Sequence, residues 1–346
     1  MSSTSRILST ACAAAALGVA LSAQVQVDRQ IPAYAKTAAV SGSIKSVGSD
    51  TMNNLMTLWA EGFNRAYPNV EVEIEGKGSS TAPPALIEGT ATFGPMSREM
   101  KAKELDDFEK EFGYKPTGLA TGIDMLAVYV HKDNPIAAAG LTLQQVDAIF
   151  SKTRKGGAES DVRTWGDLGL SGDWADKPIS LFGRNSASGT YGFFKEKALF
   201  GGDFKDEVKE QSGSASVVQG VASDKYAIGY SGIGYITADV LAVPLGKAAD
   251  SLIAADAANV AKYPLSRPLF VYLNYKPNSQ LDPLRREFVR YVFSAEGQSV
   301  VLKDGYLPLS FAQCRAALAK VGLELQPVPA AVEAAGKGEG AVKHDK

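Results

Sequence analysis

Short apolar runs alternate along the chain with amphipathic segments, and small-residue turns join them. Ser43 to Val47 reads as a strand ending at Gly48-Ser49-Asp50-Thr51. Leu55, Leu58, Trp59, Gly62 and Phe63 then recur at helical spacing, and that helix must stop before Pro68. Val70, Val72 and Ile74 alternate with Glu71, Glu73 and Glu75, the period of a strand. It runs into Gly76-Lys77-Gly78-Ser79-Ser80-Thr81, after which Pro83 and Pro84 suit the first turn of a helix. Thr90 to Gly94 predicts another strand, followed by Pro95-Met96-Ser97-Arg98 and a helix over Glu99 to Phe112.

The second half repeats this order. Thr117 to His131 is strand-like, with Asp124 interrupting its apolar run. Thr142 caps a helix through Val146, Ile149 and Phe150; residues 151 to 177 read as loops and short pieces. Pro178 to Phe182 is a strand, Gly183-Arg184-Asn185-Ser186-Ala187-Ser188-Gly189-Thr190 a turn, and Tyr191 to Lys197 a helix. Ser214 to Ser223 predicts a helix, Ala227 to Tyr230 a buried strand, and Ser266 to Leu273 a long apolar strand. Pro283 to Phe293 predicts a helix that Glu296 to Leu302 continues. Strand, turn and helix in repetition predict an open α/β sheet, whose ligands bind beyond the carboxyl ends of the strands.

Composition narrows the classes. A length of 346 residues favours two domains over one core. A net charge of -2 lacks the basic footprint of a nucleic-acid binder. With two histidines and two cysteines, no zinc or iron–sulfur cluster can be assembled, and no cofactor is expected. Arg6, the apolar Ile7 to Ala20 and Leu21-Ser22-Ala23 read as a signal peptide over residues 1–23, so the protein is expected to be exported. Cys12 follows a loose lipobox, but hardly any apolar residues precede it. Residues 24–41 are expected to form a flexible leader and residues 326–346 a disordered tail.

Three turns share one chemistry. Gly48 to Thr51, Gly78 to Thr81 and Ser188 to Thr190 each follow a strand, open a helix, and offer hydroxyl and backbone N–H donors at the positive end of a helix dipole. One such turn is an ordinary cap. Three, with Arg98 and Arg184 beside strand ends, suggest one small oxyanion bound by donors from several directions.

The runs Val47 to Thr51, Gly78-Ser79-Ser80, Phe93 to Arg98, Arg184 to Thr190, Ala227 to Tyr230, Tyr263 to Pro268 and Gly305 to Leu309 resemble, in order and spacing, those of the periplasmic phosphate-binding proteins of phosphate-specific ABC transporters. The resemblance covers about Ser43 to Leu325. It implies an α/β, two-lobed type II periplasmic binding-protein fold, each lobe a sheet flanked by helices, joined by two crossover strands. Lobe 1 is then expected over 42–123 plus 270–325, and lobe 2 over 124–269. It also implies a periplasmic monomer, not an enzyme, that binds inorganic phosphate and delivers it to permease subunits in the inner membrane.

Carried onto this chain, the resemblance assigns phosphate to Ser79, Arg184, Ser188, Gly189 and Thr190, and to the first turn, Ser49-Asp50-Thr51. Familiar members place an aspartate about three residues beyond the Phe-Gly pair, to accept the proton of bound phosphate. Ser97 and Arg98 stand there instead, so Asp50 or Asp124 is expected to supply the acceptor. Arsenate or sulfate is the alternative ligand. A secreted phosphomonoesterase is a further alternative, but His131 is the only histidine in the folded region and no nucleophile elbow or phosphate-binding Gly-Lys loop is present.

Overall fold

The computed structural model describes residues 25–328. The expected signal peptide and most of the expected tail lie outside them. In chain order the elements are β1 (Gly42–Gly48), α1 (Asn53–Ala66), β2 (Val70–Gly76), α2 (Ala82–Ile87), β3 (Gly94–Met96), α3 (Ala102–Phe112), β4 (Thr117–His131), α4 (Ile136–Ala139), β5 (Leu141–Thr142) and α5 (Leu143–Phe150). They continue as β6 (Ser180–Arg184), α6 (Gly189–Lys197), β7 (Lys209–Gln211), α7 (Ser214–Ser223), β8 (Ala227–Gly232), β9 (Val240–Ala242), β10 (Leu245–Gly246), β11 (Ser266–Leu273), α8 (Pro283–Val292), α9 (Ala295–Lys303) and α10 (Phe311–Ala319).

β1 and β2 pair in parallel, and Ser46 bridges to Phe93 just before β3. The larger sheet runs β3-β11-β4-β8-β6-β7, with β9 also on β4. β4 changes neighbours along its length. Thr117 to Met125 lie against β11, and Leu126 to Val130 against β8, all antiparallel. β6, β7 and β8 are parallel to one another. Helices flank both sets of strands, as the alternating pattern predicts.

Aliphatic and aromatic side chains at helical spacing bury the faces. Leu55, Met56, Trp59 and Phe63 of α1 are fully buried, and Phe63 meets Phe288 of α8 edge to face at 5.3 Å. Phe194 of α6 stacks on Tyr230 of β8 at 3.8 Å between centroids, which fixes the helix over the sheet.

Several expectations shift. The strand expected over Thr90 to Gly94 begins at Gly94, because the preceding residues turn back to bond Lys45. α8 and α9 are two helices; Ser294 breaks them apart and caps the second through Gly297 N at 3.2 Å. The leader differs most. Ile31 is buried, Tyr34 Oη donates to Glu287 Oε2 at 2.6 Å, and Thr37 Oγ1 bonds Glu287 Oε1. Val328 N, in the expected tail, donates to Gln30 O at 3.1 Å. Polar composition there hides a few anchoring groups, and their shared partner Glu287 lies 253 residues away from Tyr34.

Candidate functional site

Each of the three turns leaves its strand held by backbone bonds. Ser49 N donates to Pro95 O at 2.8 Å, and Gly78 N donates to Gly48 O at 2.7 Å, so the first two turns and the end of β3 are tied together. Gly78 has φ +118, and a Cβ there would stand 2.5 Å from Ala187 O. Only glycine lets the second turn approach the third this closely. Ser80 then bonds that same carbonyl through N at 3.2 Å and through Oγ at 2.9 Å. Two phenols hold the first turn from behind: Tyr306 Oη and Tyr235 Oη donate to Thr51 O at 2.7 and 3.2 Å.

The side chains of these turns meet in a buried polar knot. The Thr51 and Thr190 hydroxyls share a hydrogen bond at 2.8 Å, although 139 residues separate them. Ser97 N donates to Ser79 Oγ at 3.0 Å, and the two serine hydroxyls lie 3.3 Å apart. Gly189 closes over the serines; a Cβ on it would sit 2.7 Å from Ser97 Oγ and closer still to Ser79 Oγ. All of these residues are buried.

Two buried guanidinium groups flank the knot. Arg184, at the end of β6, donates from Nη1 to Ser214 Oγ at 2.6 Å and from Nη2 to Ser212 O at 2.9 Å. Its Nη2 lies 3.2 Å from Asp50 Oδ2, while its Nε is buried without a partner among the described residues. Burial pushes the Arg184 guanidinium down from its usual value, and Asp50 opposes the shift. Arg267, on β11, donates from Nη2 to Thr190 Oγ1 and from Nη1 to Ser97 O, both at 2.8 Å. Asp124 Oδ2 accepts from its Nε and Nη2 at 2.9 and 2.7 Å, and Asp124 Oδ1 from Ile233 N at 3.1 Å. Two cations and two carboxylates cancel. Any preference for an anion here comes from directed N–H and O–H donors rather than from surplus charge.

The expected residues fare unequally. Thr51, Ser79, Ser97, Asp124, Gly189 and Thr190 come together, and Ser49 lies beside them with its buried Oγ unpartnered among the described residues. Ser188 acts as the cap of α6, accepting from Thr190 N at 3.1 Å, so that hydroxyl and that N–H are already paired. Asp50 lies toward Arg184 and α7, where its Oδ2 accepts from Ser214 N. Arg98 is the correction. Its fork is taken by Glu104, with Nη1 and Nη2 each 2.7 Å from a carboxylate oxygen. A planar bidentate partner six residues away outcompetes a shared site across the turn. Arg267 joins this cluster without being announced by any of the turns. Its one signal is an arginine opening an otherwise apolar strand, Ser266 to Leu273, which must find a partner when buried.

Relatives of known name agree with this architecture. Residues 33–296 match the model of the PBP superfamily domain. A phosphate-binding protein PstS of Pseudomonas aeruginosa is 56% identical over 313 residues, covering 90% of this chain and 96% of the relative. A PstS of Staphylococcus haemolyticus is 28% identical over 267 residues, 75% of this chain and 79% of the relative. Among solved structures, a candidate phosphate ABC transporter substrate-binding protein from Clostridium perfringens, with bound phosphate, superposes with a TM-score of 0.64 at 27% identity, over 78% of this chain and all of that one. Family model, curated relatives and fold point the same way: the chain belongs to the PBP superfamily, among the phosphate-binding proteins PstS.

Proposed function

We propose that this protein binds inorganic phosphate outside the cytoplasmic membrane, as a monomer, and presents it to the permease of an ABC-type transporter. The observation that carries the reading is the meeting of Thr51, Ser79 and Thr190, from three separate strand-to-helix turns, on one buried knot beside Arg184. Arg184 Nε and Ser49 Oγ, buried without partners among the described residues, are groups a tetrahedral oxyanion would satisfy. Leaving such a donor unpaired costs about 1–3 kcal/mol. In this reading lobe 1 spans 42–123 plus 270–325, lobe 2 spans 124–269, and phosphate lies between them. Ser79, Ser97, Gly189 and Thr190 bind its oxygens with Thr51 and Arg184.

Asp124 is the better placed of the two acceptor candidates. It is fully buried, and its carboxylate oxygens and the Thr51 methyl lie equally close, 3.2 Å, to where a Cβ on Gly232 would stand. Three N–H donors hold it, yet Oδ1 receives only Ile233 N. A carboxylate oxygen has room for a second donor, and monohydrogen phosphate has an O–H to give.

Sulfate at neutral pH has no proton. Losing that bond costs about 1–3 kcal/mol, and like charges near 4 Å repel by about 4 kcal/mol at an effective dielectric of 20. Together these amount to about a thousandfold preference for phosphate or more. Arsenate, which carries the same proton, should compete. Isothermal titration of the wild type and Asp124→Asn with phosphate, arsenate and sulfate tests this. The expected result is tight phosphate, competing arsenate, excluded sulfate, and a variant that loses the discrimination. A wild type that takes sulfate as readily as phosphate overturns it.

A further inference from the structure

We propose that Asp50 is a latch that forms when the cleft closes, a positioning residue for Arg184 rather than the acceptor of the ligand's proton. The proposal rests on the reading of the protein as a two-lobed phosphate receptor. α7 has ten residues, and the cap position before it is Gly213, which has no side chain to cap it. Its first N–H, that of Ser214, donates to Asp50 Oδ2 at 2.8 Å, from a residue 164 positions earlier in the chain. A helix start whose cap comes from so far away is capped only while the two segments are together. The same oxygen lies 3.2 Å from Arg184 Nη2, and Arg184 Nη1 bonds the Ser214 hydroxyl at 2.6 Å. One carboxylate therefore ties the loop leaving β1 to both the α7 start and the arginine at the end of β6.

The surroundings argue against a second duty. The Asp50 Oδ2 already serves the positive end of a ten-residue helix and a guanidinium. Tyr235 also touches this turn, its hydroxyl donating to Asp50 O at 3.0 Å, and Asp50 raises its phenol. A Cβ on Gly213 would stand 3.5 Å from Asp50 Oδ1, so that oxygen faces the α7 start as well.

A contact present only in the closed form acts on ligand release rather than capture. Stopped-flow binding of phosphate to the wild type, Asp50→Ala and Asp50→Asn tests this. For Asp50→Ala the release rate should rise on the order of tenfold, as for loss of one charge-assisted hydrogen bond, with the association rate unchanged. Asp50→Asn keeps an acceptor for Ser214 N–H and should fall between. The phosphate-to-sulfate ratio and the melting temperature without phosphate should not move in either variant. Admission of sulfate, a loss confined to association, or unchanged release overturns the latch while leaving the receptor reading intact. A wild type that binds no phosphate overturns both.

Discussion

Arg267 sets Nε and Nη2 on one oxygen of Asp124, at 2.9 and 2.7 Å, with both side chains sealed from solvent. Its remaining nitrogen reaches Ser97 O, and Nη2 also reaches the Thr190 hydroxyl. The pair joins β11 and β4 to the third turn and to the residue that follows β3.

Removing one member of such a pair leaves an uncompensated buried charge, so Arg267→Met should destabilise the protein by about 3–5 kcal/mol. Asp124→Asn in the same chain removes the stranded charge. The double variant should therefore be more stable than the sum of the two single losses by at least about 1 kcal/mol. Urea unfolding of the four proteins of the cycle measures the coupling; strict additivity would show that the two residues do not depend on each other.

Gly189→Ala places a methyl carbon against the Ser79 and Ser97 hydroxyls, within 2.7 Å of the latter. Alanine is a good residue for the start of a helix, so α6 itself should form. The expected outcome is a folded protein, by circular dichroism, whose phosphate affinity falls at least about tenfold in titration.

Glu287 is the anchor of the leader. Burial alone would raise its carboxyl, but hydrogen bonds from Thr37, Tyr34 and Tyr67 outweigh it and hold the group at about 2. A folded-state value below the unfolded one, near 4.3, contributes stability that is present above that range and lost as pH falls toward 2. The contribution is on the order of 2–3 kcal/mol. Glu287→Gln should flatten the acid limb of the stability curve and speed hydrogen exchange across residues 31–38 at neutral pH.

Asp304 has the opposite sign. Burial raises its carboxyl to about 6 against the hydrogen bond from Asn54, and Asp124 adds to the rise. The folded protein then binds the proton more tightly than the unfolded chain, so stability falls as pH rises from about 4 to 6 and levels off above. Asp304→Asn keeps an acceptor for Asn54 and carries no charge. It should gain about 1–2 kcal/mol at pH 7.5 and lose that slope, as thermal melts across pH would read.

Much of the site is legible in the sequence because helix starts are local. A strand, a Gly-Ser-Thr turn and a following helix predict donors at Thr51, Ser79 and Thr190 before any contact is known. What the turns do to one another is not local. Ser188 and Arg98 have near neighbours, Thr190 N and Glu104, that claim them first. Asp50 and Arg267 have distant ones, Ser214 N and Asp124, that no spacing discloses. The leader follows the same rule, since Glu287 and Glu296, which bind it, come from α8 and α9 near the other end of the chain.

β4 exchanges one neighbour for another between Met125 and Leu126, one residue past Asp124. If the halves of the molecule swing apart about this strand, a carboxylate at the fulcrum has almost no lever arm. Asp124 would keep its place while the hydroxyls of Thr51 and Thr190 travel. An arriving anion would then be sorted by its proton at a stationary point, before any moving part has committed to it.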